Sequence, residues 1–307
     1  MSNNVISLSR HQNTKSNGIA ALLQSFAHKR RDPNEVYWLK ENAEILNILE
    51  CTHVAGSQSG VEIYDGIYHD LPKRMGFFPQ YYRFYLSIAC DLEALGIKGN
   101  IAQQLCDFAH SKGLADIELS DLQRAEAMRL LARRGIRNDD DAVLRQRLLR
   151  FVNNSAGFAL PNRKAAYELT HIVFYLSEYG RRDPELESSA ILSLKFTGIL
   201  AHIEQNVDLL SEVCIALRYA GEIPPKVWED WIFTVNNSFI LRASDTGPSD
   251  EYHAFLVVNW ACAEMQRNAF SQAFFDTGTG FFSPVTPLYA LGHVSEILLD
   301  WKSPRSR

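Results

Sequence analysis

The stretch Tyr167-Glu168-Leu169-Thr170-His171-Ile172-Val173-Phe174-Tyr175-Leu176, running on to Glu178-Tyr179-Gly180-Arg181, decides the fold class. Apolar side chains fill nearly its whole circumference, which predicts a buried helix over Arg163 to Tyr179. Gly180 stands where a left-handed residue ends a helix. The same ending recurs at Ala94-Leu95-Gly96-Ile97 and at Tyr219-Ala220-Gly221-Glu222. Each follows an apolar helical pattern and precedes another helix, so the three handovers predict stacked helical hairpins.

Outward from these motifs the chain reads as helix after helix. Apolar spacing predicts helices over Gly18 to Lys29, Val36 to Glu50, Gln80 to Leu95, Asn100 to Lys112, Ser120 to Arg134, Asp140 to Val152, Pro184 to Ile203, Val207 to Ala220, Pro225 to Leu241, Asp250 to Asn268 and Leu288 to Trp301. Ser120-Asp121-Leu122-Gln123 has the capping-box form, and Asp139-Asp140-Asp141 reads as a capping cluster before its helix. Cys51 to Pro79 carries Gly56, Gly60, Gly66, Gly76, Pro72 and Pro79, so it reads mostly as loop, with room for a hairpin over Val61 to Tyr68. Period-two alternation is nearly absent elsewhere. The expectation is an all-α fold of about twelve helices, stacked as hairpins into an α/α array or partial toroid, with an irregular bundle as the alternative. Residues 1–16 are expected to be a disordered lead-in, and 17–307 a single domain.

The 307 residues are 46% hydrophobic and 22% charged, with a net charge of -5, enough for a sizeable core. That balance removes any chain-wide case for nucleic acid or an anionic membrane surface. No apolar run reaches the roughly 18 residues of a membrane span. The five cysteines, Cys51, Cys90, Cys106, Cys214 and Cys262, are odd in number and scattered, so they predict free thiols and a cytoplasmic setting. Oligomeric state is left open.

Candidate chemistry follows from aligning the repeats. Nine residues before the three glycines stand Ser87, His171 and Glu212, so on this register His171 and Glu212 project from equivalent points into one concavity. Glu168 and Tyr175 lie at i-3 and i+4 from His171 and share its stripe. Asp208 and Glu212 form an i,i+4 carboxylate pair, which needs a cation, a proton or a histidine to be tolerated. Glu251-Tyr252-His253 opens an apolar helix, where the helix dipole is expected to lower the pKa of His253 and keep it neutral. Two histidines and a carboxylate, His171, Glu212 and His253, make a candidate set for iron or zinc, with Asp208 and Tyr252 nearby. The same groups could act by metal-free acid–base chemistry, or serve only as a structural polar network.

Other matches are weak. Asp-Thr-Gly occurs at Asp245 to Gly247 and Asp276 to Gly278, yet a helical chain lacks the β-rich lobes that aspartic-protease chemistry needs. Gly278-Thr279-Gly280 lacks the lysine of a phosphate loop. Phe274-Phe275 and Phe281-Phe282 fit an aromatic loop that packs or covers a pocket. Arg124, Arg129, Arg133, Arg134, Arg137, Arg145, Arg147 and Arg150 read as a mixed-charge solvated face, with an anionic ligand or partner as the alternative; no interleaved aromatics favour nucleic acid.

The run Tyr167 to His171 with Phe174-Tyr175, together with Glu251-Tyr252-His253, resembles uncharacterised bacterial all-helical proteins over about two thirds of the chain, most clearly from Arg163 onward. That resemblance implies no activity. The hairpin organisation is similar to α/α-toroid enzymes such as terpene cyclases and some glycoside-active enzymes, although an aspartate-rich terpene motif is missing. The reading that follows is an enzyme that binds a small, partly apolar molecule in a central helical cavity and performs acid–base or metal-assisted tailoring or biosynthetic chemistry on it, with His171 and His253 as acid–base groups and Glu168, Asp208 and Glu212 as orienters, ligands or acids. The rival is a helical-repeat interaction scaffold without catalysis.

Overall fold

The computed structural model describes residues 18–136, 141–242, 251–271 and 280–282. The fold is all-α. In chain order the helices are α1 (18–24, running into a π turn at Ser25–Lys29), α2 (Val36–Thr52), α3 (Asp65–Phe77), α4 (Tyr82–Leu95), α5 (Ile101–Ser111), α6 (Asp121–Ala132), α7 (Ala142–Val152), the single turn α8 (Ser155–Phe158), α9 (Arg163–Leu176), α10 (Ser188–Ile203), α11 (Val207–Tyr219), α12 (Lys226–Asn236) and α13 (Tyr252–Glu264). Two three-residue strands, Ile240–Arg242 and Gly280–Phe282, pair antiparallel. The lead-in, the helix expected at Leu288 to Trp301, both Asp-Thr-Gly triplets and Phe274-Phe275 lie outside the described residues.

The packing order is cyclic. α2 packs on α4, α4 on α6, α6 on α9, α9 on α11, α11 on α13, and α13 returns to α2. Between successive ring helices the chain passes through outer ones: α3, α5, the α7–α8 pair, α10 and α12. The sequence pattern explains the two roles. Tyr85 to Leu92 of α4, Leu209 to Leu217 of α11 and Phe255 to Cys262 of α13 are buried without interruption, as helices flanked on all sides must be. Outer α5 buries only Ile101, Ala102, Leu105, Cys106 and Ala109, one stripe.

Each ring helix ends on a residue with positive φ: His53, Gly96, Gly135, Gly180, Gly221 and Gln266. At Gly96, Gly135, Gly221 and Gln266 the next amide donates to the carbonyl five residues back, which satisfies the helix end and turns the chain outward. Gly180 is also sterically required, because a Cβ there would stand 2.5 Å from the Tyr219 ring.

Two local expectations are corrected. Cys51 to Pro79 is largely helical, a 3₁₀ turn at Val61–Tyr64 followed by α3, with Pro72 inside the helix. Ile67, Tyr68, Leu71 and Met75 bury one face at helical spacing, and that burial outweighs the glycines and the amide that Pro72 lacks. The arginines divide: Arg129, Arg133 and Arg134, at the end of α6, are turned inward onto Glu178, Asp91 and Glu93, whereas on α7 the mixed-charge surface holds, with Arg145 and Arg147 paired to the exposed Glu185 and the half-exposed Asp121, and Arg150 exposed. Ser120 and Asp141 cap their helices as their sequences predict. All five cysteines are free. No helix among the described residues is long and apolar enough to cross a membrane.

Candidate functional site

Counting nine residues back from each positive-φ ending of the ring gives Glu44, Ser87, Glu126, His171, Glu212 and Val257, and all six line one cavity of about 290 Å3 at the centre of the ring. The register that sets Ser87, His171 and Glu212 at equivalent points therefore holds, and it extends to three further helices. Gly135 carries the signal for Glu126 as plainly as the other glycines. Glu44 and Val257 escape a sequence reading because His53 and Gln266 stand where the other ring helices have glycine.

One turn further along the helices the cavity is aromatic. Phe174 and Trp260 lie 4.8 Å apart between centroids, and Tyr179 stacks on Trp260 at 5.7 Å with 21° between planes. The Trp260 indole donates to the Tyr219 hydroxyl at 3.0 Å, and that hydroxyl donates to Glu264 at 2.9 Å, so the platform is fixed by polar as well as apolar contacts. Arg129 lies over the Tyr179 ring at 4.7 Å and binds Glu178 at 3.1 Å. On the same side Arg83 joins Glu118, at 3.0 Å, to Glu126. Along α4 and α6 the charges of the lining are thus already matched.

The α2, α11 and α13 side is different. The His253 imidazole is gripped through Nδ1 by the Asp208 carboxylate, at 2.9 and 2.8 Å to the two oxygens. Its Nε2 faces Glu44 Oε1 and Glu212 Oε1, both at 3.9 Å. Glu212 Oε2 accepts from the Thr170 hydroxyl and stands 3.8 Å from His171 Nε2. Tyr252 donates to Glu44 Oε2 at 3.1 Å, and Lys40 lies 3.7 Å from Oε1 of the same carboxylate. The i,i+4 carboxylates Asp208 and Glu212 thus find their compensating histidine on α13.

The charge state of His253 reverses the expectation from the helix dipole. Burial opposes its charge, but Glu44, Asp208 and Glu212 together outweigh both burial and dipole and push its pKa up to about 10. His171 is also raised, because Glu212 overcomes the cost of burial. Glu212 is held below the usual carboxylate range: burial favours its neutral form, but His171, His253 and the Thr170 hydroxyl favour the anion more. Burial pushes the Tyr175 phenol up.

Of the residues singled out from sequence, His171, Glu212, His253 and Tyr175 line the cavity, Asp208 sits behind His253, and Tyr252 braces Glu44. Glu168 does not join them. It lies a turn nearer the start of α9, is 34% exposed and faces Lys164 at 3.9 Å. Glu126 is legible through Gly135 but is missed by the sequence reading, whereas Thr170, Lys40, Glu44, Arg83, Arg129 and Trp260 carry no signal that marks them as site residues. As metal donors, Asp208, Glu212 and His253 each offer an atom within 4.8 Å of the others, whereas His171 approaches this group through Glu212.

All of the chain, residues 1–307, matches the family described as Domain of unknown function (DUF6902). The protein belongs to the DUF6902 family. No curated protein and no solved structure matches this DUF6902 chain.

Proposed function

We propose that this DUF6902 protein is an enzyme whose central cavity binds a small, partly apolar molecule and performs proton transfer on it. The observation that carries the reading is the His253–Asp208 pair, with Nδ1 clamped by a carboxylate and Nε2 turned into the cavity between Glu44 and Glu212. A carboxylate on Nδ1 fixes the tautomer and the ring orientation, which is what a general acid or base requires. The apolar part of the substrate lies against Phe174, Tyr179 and Trp260, and its polar part meets His253, Glu44 and Glu212. There His253 Nε2, held in its charged form by the carboxylates around it, passes a proton to the substrate, and Glu44, held by Tyr252, takes one from it. The ring of six helices around one cavity fits an α/α toroid, and free thiols throughout fit a reducing, cytoplasmic compartment. A hollow of about 290 Å3 walled by six helices is of a size that suits a small ligand.

The test incubates the purified protein with a small-molecule extract of cells and follows every mass feature by liquid chromatography–mass spectrometry. Features consumed by the wild type and left intact by His253→Gln identify the substrate. Identical profiles for the two proteins, with the same compounds still bound by both, would replace catalysis with simple binding.

A further inference from the structure

Among the described residues four asparagines are buried: Asn42, Asn47, Asn236 and Asn259. Three of them spend their amide hydrogens. Asn42 Nδ2 donates to the Phe26 and Trp38 carbonyls at 3.1 and 2.9 Å, Asn236 Nδ2 to the Asn268 carbonyl at 3.0 Å, and Asn259 Nδ2 to the Phe255 carbonyl at 2.8 Å. Asn47 is the exception. It is 7% exposed, it lines the central cavity, and its Nδ2 has no acceptor among the described residues. A second donor of the same lining shares this condition. Arg129, 3% exposed, gives one terminal nitrogen to Glu178 at 3.1 Å, while its Nε has no acceptor among the described residues. A buried N–H without an acceptor is costly, and a cost kept twice in one cavity points to an acceptor that arrives with the ligand.

The register of the ring says where that acceptor sits. Asn47 and Arg129 stand six residues back from the endings of α2 and α6, as Phe174 and Trp260 do on α9 and α13, and one turn beyond Glu44 and Glu126. With no acceptor holding its Nδ2, the Asn47 carboxamide can turn about its terminal bond to meet a ligand. Charge decides the chemistry of the acceptor. Glu178 already neutralises Arg129, and Glu44, Glu126 and Glu212 line the adjoining level, so a further anion is repelled and an uncharged oxygen is accepted. Phe174, Tyr179 and Trp260 add an apolar aromatic wall beside the two donors. We propose that the cavity takes an uncharged, flat ring compound whose carbonyl oxygen accepts from Asn47 Nδ2, with Arg129 Nε as the second donor of that level. Glu44, three residues before Asn47 on α2, lies about 4.5 Å away along the helix axis, in place to take a proton from an atom near the carbonyl. Fixed donors on a carbonyl oxygen stabilise the negative charge that gathers there as such a proton leaves. This inference rests on the reading of the cavity as a site of proton transfer and adds the class of its substrate.

The test compares three compounds built on one phenyl ring: acetophenone, which carries the carbonyl, ethylbenzene, which lacks it, and benzoate, which puts an anion in its place. Their binding to the full-length protein is titrated by saturation-transfer NMR. The expected result is that the wild type holds acetophenone at least about tenfold more tightly than either of the others, and that this preference falls to within about twofold in Asn47→Leu while ethylbenzene binds as before. Far-UV circular dichroism checks that the variant is folded, and Asn47→Ala takes its place if it is not. Equal binding of acetophenone and ethylbenzene, tighter binding of benzoate, binding of none of the three, or a preference kept in a folded Asn47 variant overturns the proposal. The two readings separate cleanly: acetophenone held through Asn47 with nothing consumed from the cell extract removes catalysis and keeps the ligand class, whereas consumption of a substrate without a carbonyl keeps catalysis and removes the ligand class.

Discussion

The protein has a larger hollow than the central cavity, and the two differ in how their charges are satisfied. A groove of about 520 Å3 lies over α6, α7 and the chain after α9, lined by Arg145, Arg182, Asp141, Asp183 and Glu185 among others. There the polar groups have local tasks. Arg145 binds Glu185 at 2.7 Å and the Pro184 carbonyl, Asp141 caps α7, and Asp183 accepts from the Glu185 amide at 2.7 Å. The central cavity is little more than half that size, yet it gathers Glu44, Glu212, His171 and His253 at separations of 3.8–3.9 Å, with polar capacity turned inward. Unspent polar groups, and not volume, distinguish a site from a crevice.

Mutations on the two sides put this contrast at risk. The largest stability effect belongs to the cavity platform: Trp260→Ala removes a 4%-exposed indole and is expected to cost about 3–5 kcal/mol in urea unfolding. A cost below about 1 kcal/mol would mean that the aromatic layer is not packed as described. Next comes pH. His253 has its pKa raised from 6.5 to about 10, so its stabilising contribution is complete below about 6.5 and is lost as pH rises toward 10. Wild-type stability should therefore fall over that window relative to His253→Gln, by an amount moderated because the ring is 27% exposed. Parallel pH profiles for the two proteins would show that the carboxylates do not hold the charge. In the groove, Asp141→Ala removes a cap that accepts from the Val143 and Leu144 amides and should cost about 1 kcal/mol. Arg145→Ala, which loses an ion pair whose glutamate is 75% exposed, should cost less than about 1 kcal/mol and leave cavity chemistry intact. Loss of substrate consumption in Arg145→Ala would move the functional site to the groove.

Much of this arrangement is legible along the chain. Near-continuous apolar patterns mark α9 and α13, though outer α10 is as apolar and ring helix α6 is not, and the glycine endings at 96, 180 and 221 place Ser87, His171 and Glu212 on one register, because a helix of fixed rise carries a residue a fixed distance from its end. Glu44 is hidden because His53 takes the left-handed conformation without being glycine. Glu168 misleads because it shares a helical stripe with His171 yet lies beyond the cavity, a matter of depth that angular position does not contain. The neutral His253 expected from the first turn of α13 fails because three carboxylates, on α2 and α11, act at closer range than the dipole.

The sequence by itself determined the helices other than α3 and the single turn α8, the caps at Ser120 and Asp141, and the residues that point inward from three of six ring positions. These are local properties, set by side-chain periodicity and backbone conformation within a few turns. The closure of α13 onto α2, the meeting of His253 with Asp208 across 45 residues, and the placing of Glu212 between two imidazoles were decided only by the tertiary structure. Those depend on which helix faces are brought together, and charge acts through space and not along the chain.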